Sequence, residues 1–229
     1  MNSSDLQILF EDKYLLAINK PHGLVTDKDA RLPQTLESLT LEYIQSKEKY
    51  PQKCFIGLPH RLDRPVSGVV LFAKMKSVLK LLSELFAQRA IEKTYLAITE
   101  HRPSKQEDEL KNWIEKDLKQ RKALIHLREK TNSLQAILRY KLISNKPVGS
   151  LLEIKLLTGK FHQIRAQLAN SGCPIIGDTL YGASTFYKEN GIALQARELR
   201  FAHPITKEPL TIIAPSPEDE LWDNFKIAL

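Results

Sequence analysis

The residues best suited to chemistry lie in one string, residues 60–74, which reads HRLDRPVSGVVLFAK. Its single carboxylate, Asp63, has three cationic or titratable neighbours, His60, Arg61 and Arg64. Proline, serine and glycine follow and favour a loop, and an apolar β-prone run comes next. Nearby positive charge favours the ionised carboxylate, so we expect Asp63 to be a nucleophile or base at neutral pH. The alternative is a surface loop in which Asp63 only pairs with an arginine.

This string resembles the HRLDRxTSG motif of the RluA-type pseudouridine synthases, in which the aspartate is the catalytic residue. The chain departs from the motif at Val66, where the family usually has threonine, at a packing or capping position. Residues 19–24, NKPHGL, resemble the family's first motif, NKPxGL, for which we expect a structural role. That likeness fades at residues 27–29, where a His-Pro pair is more usual.

Two further motifs of the family supply partners for Asp63. Tyr95, within a KxYxA string, takes the position of the family's active-site tyrosine, although a tyrosine in a strand is by itself more often a core residue. Residues 158–168, TGKFHQIRAQL, resemble TGRxHQIRxHL, so Arg165 maps onto the basic residue that pairs with the catalytic aspartate. Lys160 keeps the charge of the family arginine but loses its planar fork, and Gln167 replaces a histidine.

The start of the helix predicted after residue 160 is a candidate phosphate site. Its backbone N–H groups, with Lys160 and His162 beside them, are suited to an anion. It is not a Walker loop, because Ile154 stands where the first glycine is required. The alternative is an ordinary amphipathic helix with solvated bases.

The last motifs lie between residues 174 and 204. Residues 174–182, PIIGDTLYG, match PIxGDxxYG, and we expect Asp178 to form a turn rather than act as a second acid. Residues 194–204, LQARELRFAHP, resemble LHAxxLxFxHP, with Gln195 for the first histidine. The resemblance implies that Leu194 lines the uracil pocket.

Hydrophobic patterning predicts the elements that position these motifs. Strands are predicted over 6–10, 14–19, 69–73, 92–99, 133–143, 151–157 and 210–213, with an exposed, charge-rich excursion over 107–122. Helices are predicted after the caps Thr35 and Ser77, over 160–171 and over 217–225. Three successive strands without helices favour an antiparallel meander. We therefore predict an α+β fold: a mixed, largely antiparallel bent sheet flanked by helices, with a central basic catalytic cleft, as the pseudouridine synthase resemblance implies.

Length and composition are those of one globular domain, residues 1–229. The resemblance runs from about residue 9 to residue 209, so we expect a single catalytic domain without the small N-terminal RNA-binding domain of many relatives. No run of about 18 apolar residues indicates a membrane span. No secretion signal is apparent, and the two cysteines are far apart, which favours a reduced, cytoplasmic protein. The net charge of +7 suits a polyanionic partner.

The resemblance implies an isomerase, an RNA pseudouridine synthase that detaches uracil from C1′, rotates it and rejoins it through carbon 5 without cofactor or metal. Asp63 is then the central residue, Arg165 keeps it ionised, and Tyr95 stacks on the uracil. Arg61 resembles the side chain that fills the space of the flipped base. The remaining candidate RNA contacts are His60, Arg64, Lys160, His162 and Gln163.

We expect the partner to be structured ribosomal or transfer RNA and the protein to be a monomer. Two alternatives are a non-catalytic RNA-binding module in ribosome assembly and an enzyme that releases the base from a nucleoside. Intact Asp63, Tyr95 and Arg165 count against the first. Mass spectrometry separates the second, since isomerisation leaves the mass of the RNA unchanged.

Overall fold

In a computed structural model that describes residues 2–225, the chain forms ten β-strands and four α-helices. The strands are β1 (Ile8–Glu11), β2 (Leu15–Lys20), β3 (Ser67–Ala73), β4 (Glu92–Thr99), β5 (Glu107–Asp117), β6 (Lys122–His126), β7 (Ser133–Lys146), β8 (Gly149–Leu156), β9 (Leu194–Ala202) and β10 (Pro209–Ile213). The helices are α1 (Leu36–Lys47), α2 (Lys76–Ala87), α3 (Gln163–Asn170) and α4 (Glu220–Asp223). Strands with helices beside them confirm the predicted α+β class.

The chain divides into two compact units. Unit 1 contains the residues up to Glu92 and Ala196–Ala214, and unit 2 contains Lys93–Gln195 and the residues from Pro215. Neither unit is a continuous stretch of chain. None of the helices in residues 2–225 is long and apolar enough to span a membrane.

Unit 1 contains strands in the order β1-β2-β3-β9, with β10 paired to β9. The first two residues of β9, Leu194 and Gln195, belong to unit 2. The antiparallel register of β2 and β3 runs from Leu15 opposite Ala73 to Lys20 opposite Gly68. Apolar side chains of these strands pack with the stripe of α2, represented by Val78 and Leu82. Burying such a side chain contributes about 2 kcal/mol, so this layer gives the loop before β3 a rigid base.

The two predicted helix caps in unit 1 have different outcomes. Thr35 caps α1 as predicted, since its side chain accepts a hydrogen bond from Ser38 N at 3.2 Å. The prediction for Ser77 is wrong, because α2 begins at Lys76 with extended Met75 as its N-cap residue. The first helical hydrogen bond runs from Leu79 N to Met75 O at 2.9 Å. Ser77 therefore lies inside the first turn of α2 and cannot cap it.

Unit 2 contains an antiparallel sheet in the order β4-β8-β7-β5-β6. The excursion predicted over residues 107–122 is wrong, because β5 is a strand of eleven residues paired on both sides. Helix α3 covers one face of this sheet, where Ala166 packs with Ile114, Ala123 and Ala136. Three of these four side chains are alanines, which allow the helix to approach the strands closely.

Candidate active site

Asp63 lies in a loop of unit 1 that is fixed immediately before and after it. The hydroxyl of Thr26 donates to Leu62 O at 2.7 Å and accepts from Leu62 N at 3.3 Å, and both residues are buried. After Asp63, Arg64 O accepts from Gly23 N at 2.8 Å. The Asp63 carbonyl itself accepts from Val66 N at 3.0 Å. The half-buried carboxylate of Asp63 is thus presented by a backbone with little freedom.

Lys20, at the end of β2, is a further anchor of this loop. Its side chain is fully buried, and Nζ donates to the carbonyls of Pro21 at 2.9 Å, Leu24 at 2.8 Å and Arg64 at 3.1 Å. Burial lowers the pKa of Lys20 to about 7, the charge of Asp63 raises it, and the charge of Arg64 lowers it further. The sequence signal for Lys20 was the NKP string, but it did not indicate an electrostatic link to Asp63.

The three basic neighbours of Asp63 have different environments. His60 Nε2 accepts from Leu71 N at 3.0 Å, and its ring stacks on Phe86 with centroids 4.6 Å apart, so His60 supports the loop from within unit 1. Arg61 is exposed and forms a salt bridge of 3.0 Å with Asp27. Arg64 is also exposed, and its Nε donates to Gly23 O at 3.0 Å. Arg61 and Arg64 therefore present charge at the surface, and the RNA contacts of all three residues stay predictions.

Arg165 lies on α3 in unit 2 and is held by an acid. Its Nε and Nη2 donate to the two oxygens of Asp178 at 2.7 and 2.8 Å. Both side chains are buried, with exposed fractions of 7% and 1%. A bidentate pair of this kind fixes the plane of the guanidinium. The Asp178 carbonyl also accepts a hydrogen bond from Tyr181 N at 3.0 Å, which forms the predicted turn. The ion pair with Arg165 was not predicted.

Tyr181, in the short 3-10 helix Thr179–Tyr181, lies against the same arginine. Arg165 Cζ is 5.1 Å from the centre of the Tyr181 ring. The Tyr181 hydroxyl accepts from Ala123 N at 2.7 Å and lies 3.0 Å from His162 Nδ1. The residues of the PIIGDTLYG string therefore position Arg165, a role that the sequence did not indicate.

The other predicted residues near α3 separate into surface and interior positions. Lys160 and His162 are half-buried, and His162 has left-handed backbone, φ 51°, at the N-cap of α3. Gln163 is buried: its oxygen accepts from Thr158 Oγ1 at 2.8 Å and Lys160 N at 3.0 Å, and its Nε2 donates to Gln167 at 3.0 Å. The predicted RNA contact of Gln163 does not fit this placement, because both ends of its amide serve the interior.

Two glutamines stand where the family has histidine, and both have internal partners. Gln167 Nε2 donates to Asn112 Oδ1 at 2.8 Å and to Leu110 O at 3.0 Å, which ties α3 to β5. Gln195 Nε2 donates to Pro215 O at 2.6 Å. Both residues are buried. These positions therefore serve packing within unit 2.

Tyr95 and Leu194 also belong to unit 2. Tyr95 is half-buried on β4, opposite Ile154 of β8, and Leu194 is buried at the start of β9. Thus Asp63 and its basic neighbours share one loop of unit 1, whereas Tyr95, Arg165, Lys160, His162 and Leu194 lie in unit 2. Among residues 2–225, no group of three or more histidine, cysteine, aspartate or glutamate side chains is placed to hold a metal ion.

Comparisons of the sequence and of the fold with known proteins both match pseudouridine synthases. A family model described as RNA pseudouridylate synthase matches residues 14–170. The chain is 33% identical to the uncharacterized RNA pseudouridine synthase YhcT of Bacillus subtilis, over 94% of this chain and 70% of that protein. It is 31% identical to ribosomal large subunit pseudouridine synthase C of Vibrio vulnificus, over 92% of this chain and 66% of that protein. The chain therefore spans about two thirds of the length of these relatives.

A shorter relative and a solved structure match over nearly their whole length. The chain is 30% identical to tRNA pseudouridine synthase C of Vibrio cholerae, over 96% of this chain and 93% of that protein. The structure of human RNA pseudouridylate synthase domain containing 4 superimposes with a TM-score of 0.77 and 25% identity, covering 93% of this chain and 89% of the human one.

Proposed function

This chain belongs to the RNA pseudouridylate synthase family, and from that premise we propose that it isomerises specific uridines of structured ribosomal or transfer RNA to pseudouridine. Relatives named for ribosomal and for transfer RNA both match the chain at 30% identity or more. The proposal therefore covers both substrates. We further propose that residues 1–229 form one catalytic domain and that the protein acts as a cytoplasmic monomer.

The observation that supports catalysis best is the fixed backbone on both sides of Asp63. Anchors at Leu62 and Arg64 place one carboxylate reproducibly, and a positioned group lowers the entropic cost of reaching the transition state. A nucleophile or base must meet the sugar or the base edge, so the uridine has to leave its stack. An RNA-binding module without turnover does not require such a carboxylate, which makes that alternative the weaker one.

We propose that Asp63, Tyr95 and Arg165 act on the same flipped uridine. Asp63 attacks the ribose or the base, or abstracts a sugar proton, and each route requires the ionised carboxylate. Arg165 keeps that charge in place, and Tyr95 stacks on the uracil and assists proton removal at carbon 5. Leu194 supplies an apolar wall for the base. Arg61 and Arg64 contact the RNA outside the pocket.

Asp63→Asn tests this assignment, because asparagine keeps the shape of the side chain but cannot act as a nucleophile or a base. RNA tritiated at carbon 5 of uridine reports the reaction, since the new carbon–carbon bond replaces the C5–H bond and releases the label. We expect Asp63→Asn to lower tritium release by about 1000-fold or more while RNA affinity stays within about threefold. Wild-type turnover in this variant would remove Asp63 from the mechanism.

A matched control is Asp29→Asn in the same unit. Asp29 is paired with exposed Arg31 at 2.7 Å and has no proposed role, so this variant should keep full activity. Mass spectrometry of the digested product is the second readout. An unchanged mass fits isomerisation, whereas loss of the base would indicate a nucleoside-cleaving enzyme.

A further inference from the structure

The turn between β5 and β6 in unit 2 concentrates positive charge at the end of a hairpin. Four cations lie within seven residues, namely Lys116, Lys119, Arg121 and Lys122. Asp117, the one acid among them, accepts from the main-chain N–H groups of Lys119 at 2.8 Å and Gln120 at 2.9 Å. Its carboxylate therefore shapes the turn. We call residues 116–122 the hairpin tip.

The salt bridges of this hairpin are made by residues other than the cations of the tip. The salt bridges that its strands make, within the part of the chain that the structure describes, are Lys105–Asp108, Glu115–His126 and Glu109–Arg139. The salt bridges of β5 thus pair Asp108, Glu109 and Glu115, whereas the four cations of residues 116–122 take part in none of them. A cluster of cations without acidic partners attracts a polyanion, because binding releases the counterions of the phosphates.

The hairpin tip is joined to the start of α3 by direct contacts. Lys116 Nζ is 4.7 Å from the centre of the Phe161 ring, and Phe161 stacks on His162 with centroids 3.8 Å apart and planes at 18°. The hydrogen bond from Ala123 N to the Tyr181 hydroxyl ties β6 to the turn that holds Arg165 through Asp178. The hairpin tip is therefore connected by direct contacts to the residues that position Arg165.

One apolar side chain at the tip has no packing role. Leu118 is 75% exposed between the cations. An exposed leucine is able to contact a sugar or an unstacked base, as apolar side chains of nucleic-acid-binding proteins do. Cations around an apolar side chain, next to stacked rings, match a nucleic acid better than an acidic protein.

We propose that the hairpin tip is a second RNA-binding surface, which grips the phosphate backbone outside the uridine site. This inference rests on the proposed function, since it takes RNA as the substrate. The tip supplies affinity and register through phosphate contacts, whereas recognition of the uridine stays with the catalytic residues.

A triple variant, Lys119→Gln, Arg121→Asn and Lys122→Gln, removes three charges from the tip. Asparagine is chosen at 121 because this residue has φ 51°, a conformation that asparagine tolerates. The matched control is Lys111→Gln, Lys141→Gln and Lys155→Gln. These three exposed lysines lie on the sheet face opposite α3, as the pairing of Lys111 with Ile137 and of Arg139 with Lys155 shows.

Binding is measured by fluorescence anisotropy with a labelled stem–loop RNA that has uridines in its loop, at several KCl concentrations. We expect the tip variant to raise Kd by about 10-fold or more. The slope of log Kd against log salt should fall by about 2, because each of the three lost phosphate contacts contributes about 0.7 to that slope. The control should change Kd by less than about threefold. Equal weakening by both triples would show a net-charge effect only and would overturn the proposal, as would unchanged binding of the tip variant.

Tritium release separates this inference from the proposed function. At saturating RNA we expect the tip variant to keep the wild-type kcat and to lose kcat/KM in proportion to its affinity. If wild-type protein bound RNA through the tip but released no tritium, the pseudouridine proposal would fail and the surface would stand. A fall in kcat with unchanged Kd would overturn the surface instead.

Discussion

At the scale of single residues, the ion pair of Arg165 and Asp178 contributes more to the position of a proposed catalytic side chain than to the stability of unit 2. Two buried opposite charges stabilise little beyond an apolar pair of similar volume, because both lose their hydration. Removing one partner is different, since it leaves the other charge buried and uncompensated. The pair is therefore best explained by the fixed position that it gives to the guanidinium.

We predict that Asp178→Asn and Arg165→Met each lower the free energy of unfolding by about 3 kcal/mol. The double variant should recover a large part of that loss, because no unpaired charge remains, while its activity should stay as low as that of Arg165→Met. Urea unfolding and tritium release measure the two quantities in one double-mutant cycle. Additive losses of stability in the double variant would contradict this account of the pair.

Residue motifs named the candidate site residues but not the residues that hold them in place. Asp63, Tyr95 and Arg165 were singled out by strings that combine rare residue types, and their catalytic roles stay predictions, as do the RNA contacts of Arg61 and Arg64. Asp178 was expected only to form a turn, because its pairing spans 13 residues and requires burial that no local pattern encodes. Gln163 was misjudged for the same reason, since a polar residue at a helix start usually faces solvent.

At the scale of elements, the segment after β2 fixes the loop that presents Asp63. Lys20 is charged in the unfolded chain up to its ordinary pKa near 10, whereas burial lowers its pKa in the folded protein to about 7. Between these two values the unfolded state binds more protons, so folding becomes more favourable as pH rises through that window. Below about pH 7 both states are protonated, and this contribution does not change with pH.

We predict that wild-type protein gains stability relative to Lys20→Met between pH 7 and pH 9.5, by at most about 1.4 kcal/mol for each pH unit. The variant should also be less stable throughout, because three carbonyls lose their donor. Urea unfolding across this range gives both quantities, with exposed Lys13→Met as the control that should follow wild type. Parallel curves for wild type and Lys20→Met would show that the titration of Lys20 does not affect folding.

Elements with a clear local sequence pattern were predicted well, whereas the charge-rich strand β5 was not. The bounds of β4 and the Thr35 cap of α1 agree with the sequence, because alternation and capping are local signals. Strand β5 was taken for an exposed excursion because it is rich in charge, as its Glu109 and Glu115 illustrate. β5 is a strand because it pairs with β6 and β7, and pairing with other strands cannot be seen in the sequence of one segment.

At the scale of the whole molecule, the route of the chain bears on the proposal of a single domain. The chain passes between the two units after Glu92, after Gln195 and after Ala214, so each unit needs two separate stretches of sequence. Closing such a unit requires contacts that are distant in sequence, and the entropy of loop closure must be overcome before they form. Neither unit is complete until a distant stretch of chain has joined it, so we expect the whole chain to fold in one cooperative step.

We therefore predict a single two-state transition for the whole chain in urea. Both tryptophans, Trp113 and Trp222, lie in unit 2, so their fluorescence reports that unit, whereas the 12-residue helices α1 and α2 of unit 1 dominate the helical circular dichroism signal. The two signals should give the same midpoint and the same slope. A fluorescence transition displaced from the circular dichroism transition would mean that the units unfold separately, and the single-domain proposal would then fail.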